Sequence, residues 1–510
     1  MKKIDLLFAD ELEYTEKIND SYMQDMGLEE LAKFLDTDAK SYEIFKQTIS
    51  RPLADAEKIK ERQNILKDFI DNPGLAQKLK LICVEIQKNK CQTHYVEAKR
   101  ILIAYYEILS RSMGVSLELL SWLKNRDIKS ATLKDLQSQL ECQKQFELLK
   151  ARIGKIIEYC KTDVFALNIE YGSAFKFRNA QIYQNNQKPH ENPENKTNNP
   201  ILKLFQKKPQ NYQAKIADPE AEFYYGDHFI MENEINSISG GVFMYITGVI
   251  RDLNKHILSF CDLLARQLSF YIVCLELIEV MKNNALPTVF PEIDDGKSEI
   301  KAKNLYDLGL VLQKSSDDGS VTPNDFDDCG GAYYLISGAN QGGKTTFIKS
   351  LGIAQLFAQA GIPVAADLYI CPIFNNFFSH FPREENEDLN FGKLAEELMR
   401  IKASLPKIAD NALVLLNESF ATTTETEGCE IALDIMRALS KTKSKILFVT
   451  HNYMLLKNYR ELSESFAQNI QLKSLVVAAG KAPLDRTYRI IEGEPQEEIH
   501  TIDFLDSIKK

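Results

Sequence analysis

No two cysteines in this sequence have the spacing of a metal knuckle or a redox pair. The nine cysteines (Cys83, Cys91, Cys142, Cys160, Cys261, Cys274, Cys329, Cys371, Cys429) form an odd, scattered set without a C-x-x-C. That pattern argues against a disulfide framework or a zinc site and fits reduced thiols in a cytoplasmic protein. Long apolar runs are also missing. The strongest, Phe270 to Leu275, is six residues, against about 20 for a bilayer span, so no membrane segment is expected. The N-terminus turns acidic at Asp10, Glu11 and Glu13, and no signal peptide is expected. Positive charge is short as well, with 62 Lys+Arg against 72 Asp+Glu and a net charge of −10. This excludes a surface that binds nucleic acid everywhere. What is present is an ordinary globular composition, 44% hydrophobic and 26% charged over 510 residues, enough for about three to five domains.

The chain reads as two unlike halves. Up to about Asn283 the pattern is helical, with apolar residues three and four apart over Glu29–Leu35, Ile59–Phe69 and Leu133–Cys160. The clearest stripe runs from Ile250 to Lys282 through Leu253, Ile257, Leu264, Leu268, Tyr271 and Leu275 without Gly or Pro. It predicts a helix roughly 50 Å long, either a lever or a kinked core helix. Between Ala174 and Lys215, eight basic side chains against Glu191 and Glu194 leave a local charge of +6. Pro189, Pro193, Pro200 and Pro209 forbid a continuous helix there. The segment is either a solvated loop or a basic arm that touches phosphates, with Lys203, Lys207 and Lys208 as DNA contacts. After Pro287, short apolar strands alternate with helices, as in an α/β layer fold.

The strongest motif is Gly338, Ala339, Asn340, Gln341, Gly342, Gly343, Lys344 and Thr345, which fits G-x-x-x-x-G-K-[ST] at every fixed position. It follows the apolar strand Tyr333–Ile336 and opens a helix from Lys344 to about Ala360 that stops at Gly361, with Pro363 beyond. Glycines let backbone N–H groups wrap phosphates, and the helix N-terminus adds a positive dipole. Lys344 is expected on the β- and γ-phosphates of ATP, and Thr345 on Mg²⁺. A second strand, Ala412–Leu416, ends in Asn417 and Glu418, a Walker B form whose first acid is an amide. Asn417 can position Mg²⁺ through a water, and Glu418 can orient the attacking water. A third strand, Lys445–Thr450, ends in His451. On its own a His after a strand is a cap or core residue; third after two nucleotide elements, it reads as a γ-phosphate sensor.

These residues carry a family resemblance. Gly338 through Thr346 resembles the G-P-N-M-G-G-K-S-T loop of the MutS family of mismatch-repair ATPases. Leu413–Glu418, then Thr422, Thr423, Thr424 and Gly428, resembles that family's Walker B and the G-T-S-T-x-x-G stretch after it. Phe448–His451 is similar to its F-A-T-H switch. Arg51-Pro52-Leu53, with Asp55, Ile59 and Arg62, resembles the P-L-x-D-x-x-x-I-x-x-R opening of its helical core domain. Val321–Asn324 resembles the turn before its nucleotide strand.

The resemblance implies an ABC-type P-loop ATPase domain over 284–510, preceded by an all-α core over 1–130 and lever helices over 131–283. It implies a homodimer through the ATPase domains, with each loop facing the partner's signature region and Thr422–Thr424 near the seam. Departures temper it. The chain opens near the family's core domain, so the mismatch-reading and connector domains are expected to be missing. Neither a nuclease module nor a helix-turn-helix tail is expected at the C-terminus. Asn417 replaces an Asp, and the stretch matching S-T-F-x-x-E, Gly392 to Glu397, keeps only the final Glu. These changes point to slow hydrolysis rather than lost binding. Two functions are open: a nucleotide-driven DNA-binding ATPase in repair or recombination, or an ATP-gated scaffold that reads no mismatches.

Overall fold

The computed structural model describes residues 5–8, 17–87, 98–142, 151–158, 165–171, 177–184, 227–314, 321–328, 333–382, 397–402, 411–466, 470–480 and 486–495, apart from 152, 156, 295, 297, 400, 421, 422, 441 and 443. They form two compact units that interleave along the chain. One holds Met1–Val84, Leu119–Gln139 and Asp262–Lys510, and the other Glu85–Glu118 and Leu140–Cys261.

The smaller unit contains the antiparallel hairpin of β1 (Phe165–Tyr171) and β2 (Phe177–Gln184). Strand β2 falls inside the basic, Asn-rich segment, so residues 177–184 of that segment are sheet rather than loop. Lys203, Lys207 and Lys208 lie outside the described residues. A local core gathers Leu102, Leu109, Met113, Ile153, Ile157 and Ile250. Asn254 Nδ2 donates to the Tyr105 carbonyl at 3.2 Å.

In the larger unit, short helices α1 (Asp20–Asp25), α2 (Leu28–Leu31), α3 (Ala39–Ile49) and α4 (Ala56–Asp71) open the chain. The expected helix Glu29–Leu35 is shorter than its spacing suggested: α2 ends at Leu31 and tightens into a 3₁₀ turn over Ala32–Phe34. Asp55 caps α4, accepting from the N–H groups of Glu57 and Lys58. The expected helix Leu133–Cys160 is observed over Ala131–Cys142 and again at the described residues between 151 and 158, with 143–150 outside the described residues. The long stripe lies in the helix Asp227–Asn283, of which residues 262–283 belong to this unit and 227–261 to the smaller one. Its Met244–Asn283 part is long and apolar enough to cross a membrane by length and composition, which corrects the expectation of no such segment. Counting unbroken apolar runs missed it, because Asp262 and Arg266 interrupt the run without abolishing its hydropathy. More than half of its most apolar window is buried inside the protein, as in the core helix of a globular fold.

The remaining strands are β3 (Glu292–Ile293), β4 (Lys301–Leu305), β5 (Asn324–Asp327), β6 (Tyr333–Ser337), β7 (Leu368–Cys371), β8 (Asn376–His380), β9 (Ala412–Asn417), β10 (Lys445–Val449), β11 (Leu472–Ala479) and β12 (Arg486–Glu492). They form a four-stranded sheet, β3-β7-β4-β5, and a six-stranded sheet, β12-β11-β6-β10-β9-β8. The larger sheet is parallel from β11 to β8, and only β12 runs against its neighbour. Strands β6, β9 and β10 are buried at every position, which is why they read as unbroken apolar runs.

Helix Lys344–Ala360 leaves β6 and is buried over nearly its whole length. Its neighbours come from the N-terminal helices. A Cβ on Gly352 would stand 2.4 Å from Met26 Sδ and 2.8 Å from Leu415 Cδ1, so glycine admits α1 on one side and β9 on the other. Phe45 of α3 packs edge-on against Phe357 at 6.5 Å and stacks on Phe270 at 5.9 Å. The helix end is held by the Arg51–Arg62 motif. Leu53 N–H donates to the Gln359 carbonyl at 3.0 Å, and Gln359 Nε2 donates back to the Leu53 carbonyl at 3.1 Å. Buried Arg62 donates to the Ala360 carbonyl at 3.2 Å and to that of Leu7.

Candidate functional site

Strand β6 ends at Ser337 and the chain turns through Gly338–Gly343 before helix Lys344–Ala360. Gly338 (φ +121°), Gln341 (φ +60°) and Gly343 (φ +93°) all take the left-handed region. Strand β11 backs the loop closely. A Cβ on Gly342 would stand 2.7 Å from Val477 Cγ2 and 2.9 Å from the Ala339 carbonyl, so any larger residue pushes the loop off the sheet. Asn340 and Gln341 are exposed at the tip, and Thr346 is half-buried on the first helical turn. Buried Lys344 spans the loop, with Nζ donating to the carbonyls of Gly338 at 2.7 Å and Ala339 at 3.0 Å.

The ends of β9 and β10 bring the other groups alongside. Register pairs Asn417 with Val449, so the residues just past β9 face those just past β10. Thr345 Oγ1 donates to Asn417 Oδ1 at 2.9 Å. Glu418 N–H donates to the Val449 carbonyl at 2.8 Å, and Thr450 N–H to that of Ile336 at 3.1 Å. His451 Nε2 lies 3.4 Å from Glu418 Oε1. The His451 imidazole beside it holds the Glu418 carboxyl below the usual carboxylate range; burial opposes this, and the charge of Lys344 assists it. Glu418 therefore stays an anion beside a lysine and the N-terminus of a helix. Glu418 itself has φ +47°, an uncommon conformation for a side-chain-bearing residue.

MutS domain V matches residues 334–499, and the MutS2 N-terminal domain matches residues 54–284. The chain belongs to the MutS family. Relatives include the Endonuclease MutS2 of Streptococcus agalactiae serotype Ia and of Streptococcus pyogenes serotype M5. Each is 33% identical over 162 residues, or 32% of this chain and 20% of the relative. The Endonuclease MutS2 of Streptococcus equi subsp. equi is 29% identical over 165 residues, again 20% of that protein. The matched stretch thus spans about a fifth of these relatives.

In this MutS-family chain Lys344, Thr345, Asn417, Glu418 and His451 meet at the carboxyl ends of β6, β9 and β10. The trans-site candidates divide. Gly392 and Thr422 lie outside the described residues. Glu397 is buried. Thr423 Oγ1 donates to Glu427, and Thr424 Oγ1 caps helix Glu425–Leu439 by accepting from Glu427 N–H at 3.3 Å. Two other site-lining residues, Arg486 and Tyr488, gave no sequence signal. Arg486 of the edge strand donates to Gln341 Oε1. Tyr488 (φ +55°) lies against Gly343, whose added Cβ would stand 3.5 Å from Tyr488 Cβ. Asn324 holds this bend, with Nδ2 donating to the Tyr488 carbonyl at 3.1 Å and Oδ1 accepting from Ile490 N–H at 2.7 Å.

The residues present fit Mg²⁺. A hydroxyl and an amide oxygen face each other across 2.9 Å at the loop, a hard-oxygen pair of the kind Mg²⁺ takes together with waters and phosphates.

Proposed function

We propose that this chain is an ATPase that binds Mg²⁺–ATP at Gly338–Thr346, hydrolyses it slowly, and uses ATP-driven closure of paired ATPase domains to control contact with DNA. The observation that carries the reading is the convergence of Lys344, the Thr345–Asn417 pair and the Glu418–His451 pair at the carboxyl ends of parallel strands. In open α/β sheets that is where ligands sit.

The chemistry comes from the groups themselves. The loop backbone and the helix N-terminus receive the phosphates. Lys344 is pre-aimed, because its ammonium is already held between two loop carbonyls. Thr345 would hold Mg²⁺ directly and Asn417 through a water; the bound ion supplies charge neutralisation on the β- and γ-phosphate oxygens. Glu418, kept ionised, orients the attacking water and accepts its proton. His451 donates toward the γ-phosphate end and fixes the carboxylate. Asn417 brings no negative charge to the cation, which favours slow turnover over lost affinity. Lys203, Lys207 and Lys208 are the DNA contacts in this reading.

Two measurements test it. Lys344→Ala should abolish nucleotide binding, whereas Glu418→Ala should keep binding and lose at least about 10²-fold in single-turnover hydrolysis. Normal ATP affinity in Lys344→Ala would refute the site. Binding to duplex, mismatched and branched DNA should weaken steeply as salt rises. Intact ATPase with no binding to any of the three at low salt would favour the scaffold instead.

A further inference from the structure

The segment after Glu418 is held from both sides, and one of the two holds is a histidine that no motif marks. Residues Glu418 (φ +47°) and Phe420 (φ +68°) both lie in the left-handed region, with Ser419 between them. On the β10 side the Glu418 N–H is anchored on the Val449 carbonyl at 2.8 Å. On the other side stands His380, the last residue of β8, paired in register with Leu416. His380 Nδ1 and Ser419 Oγ are hydrogen-bonded at 2.7 Å, and the two residues are only 3% and 7% exposed. Ser419 Oγ also lies 3.4 Å from the His380 carbonyl. The imidazole is nearly parallel to the Phe420 ring, at 9° and 6.3 Å between centroids. Beneath this turn a Cβ on Gly428 would stand 2.9 Å from the Phe420 carbonyl, so helix Glu425–Leu439 closes on it.

We infer that His380 is a positioning residue for hydrolysis: by holding Ser419 and Phe420 it fixes the left-handed turn that directs the Glu418 carboxylate toward His451. The inference rests on Glu418 being the water-orienting group. A backbone conformation that side chains rarely adopt persists only where its surroundings over-determine it. Here the ladder hydrogen bond fixes only the start of the turn, and the buried His380–Ser419 bond fixes its middle. Removing that bond frees Ser419 and Phe420 to relax toward ordinary backbone angles, and Glu418 turns with them. The loop Gly338–Thr346 is built on β6 and β11 and does not depend on His380, so nucleotide affinity should survive the loss. His380 acts through Glu418 rather than on phosphate.

The test uses the full chain, with equilibrium binding of a fluorescent ATP analogue and single-turnover hydrolysis measured on each variant. His380→Ala should lower the hydrolysis rate constant by at least about tenfold with affinity within about twofold, the split expected when an interaction serves the transition state alone. His380→Asn, which keeps a side-chain nitrogen near the place of Nδ1, should recover most of the rate. Ser419→Ala cuts the same bond from a small side chain, so it decides the matter if His380→Ala does not fold. In a Glu418→Ala background, His380→Ala should cost nothing further, because the two act as one unit. An unchanged rate in both Ser419→Ala and His380→Ala overturns the inference, as does an equal loss with and without Glu418. If Glu418→Ala itself hydrolyses ATP normally, the reading of the whole site fails, and that result is distinct from a failure of His380 alone.

Discussion

Glu418 shows how single residues set the chemistry of this site. Its carboxyl is held low chiefly by His451, so the anion persists below the pH at which an ordinary glutamate protonates. Loss of that donor raises the folded-state pKa, and protonation then begins at a higher pH. His451→Ala should therefore move the acid limb of the single-turnover pH profile upward, apart from any change in plateau height; an unmoved limb would show that His451 does not hold the carboxylate. Asn417 is the second decisive residue, since its amide pairs with Thr345 where an acid would add charge. Both residues were legible in the sequence, because they directly follow apolar strands and an apolar strand can be read without knowing the fold. Arg486 and His380 were not. Each bonds a residue far away in the chain, Gln341 for Arg486 and Ser419 for His380, and a single sequence carries no mark of such pairing.

Among elements, helix Lys344–Ala360 was fully legible, from its glycine start to the left-handed cap at Gly361 (φ +74°). Its partners were not. The Arg51–Arg62 stretch could be matched as a motif, yet only the structure shows what it does: Leu53 and Arg62 grip the carboxyl end of this helix across nearly 300 positions of chain. Gly361 makes room, since a Cβ there would stand 3.0 Å from Arg62 Cβ. Arg62→Met keeps the packing stem but leaves the Ala360 carbonyl without its donor. It should cost about 1–3 kcal/mol, the penalty of an orphaned buried acceptor. An unchanged midpoint in chemical denaturation would show that the grip contributes nothing. The hairpin β1–β2 was missed because polar composition and prolines nearby outweighed the alternation in Phe165–Tyr171.

For the whole molecule, the two units interleave, so segments adjacent in sequence are not always adjacent in space. Helix α3 packs through Phe45 against helix Lys344–Ala360 at Phe357 and against the long helix at Phe270. With a net charge of −10, the DNA contact of the proposed function would fall to local basic segments rather than the general surface. In the proposed function, ATP held at Gly338–Thr346 brings two ATPase domains together. Light scattering on Glu418→Ala, expected to keep ATP binding with turnover lowered at least about 10²-fold, decides this. Saturating Mg²⁺–ATP should raise the mass to about twice the 58.2 kDa of one chain. A mass that stays at 58.2 kDa with ATP demonstrably bound would contradict the account.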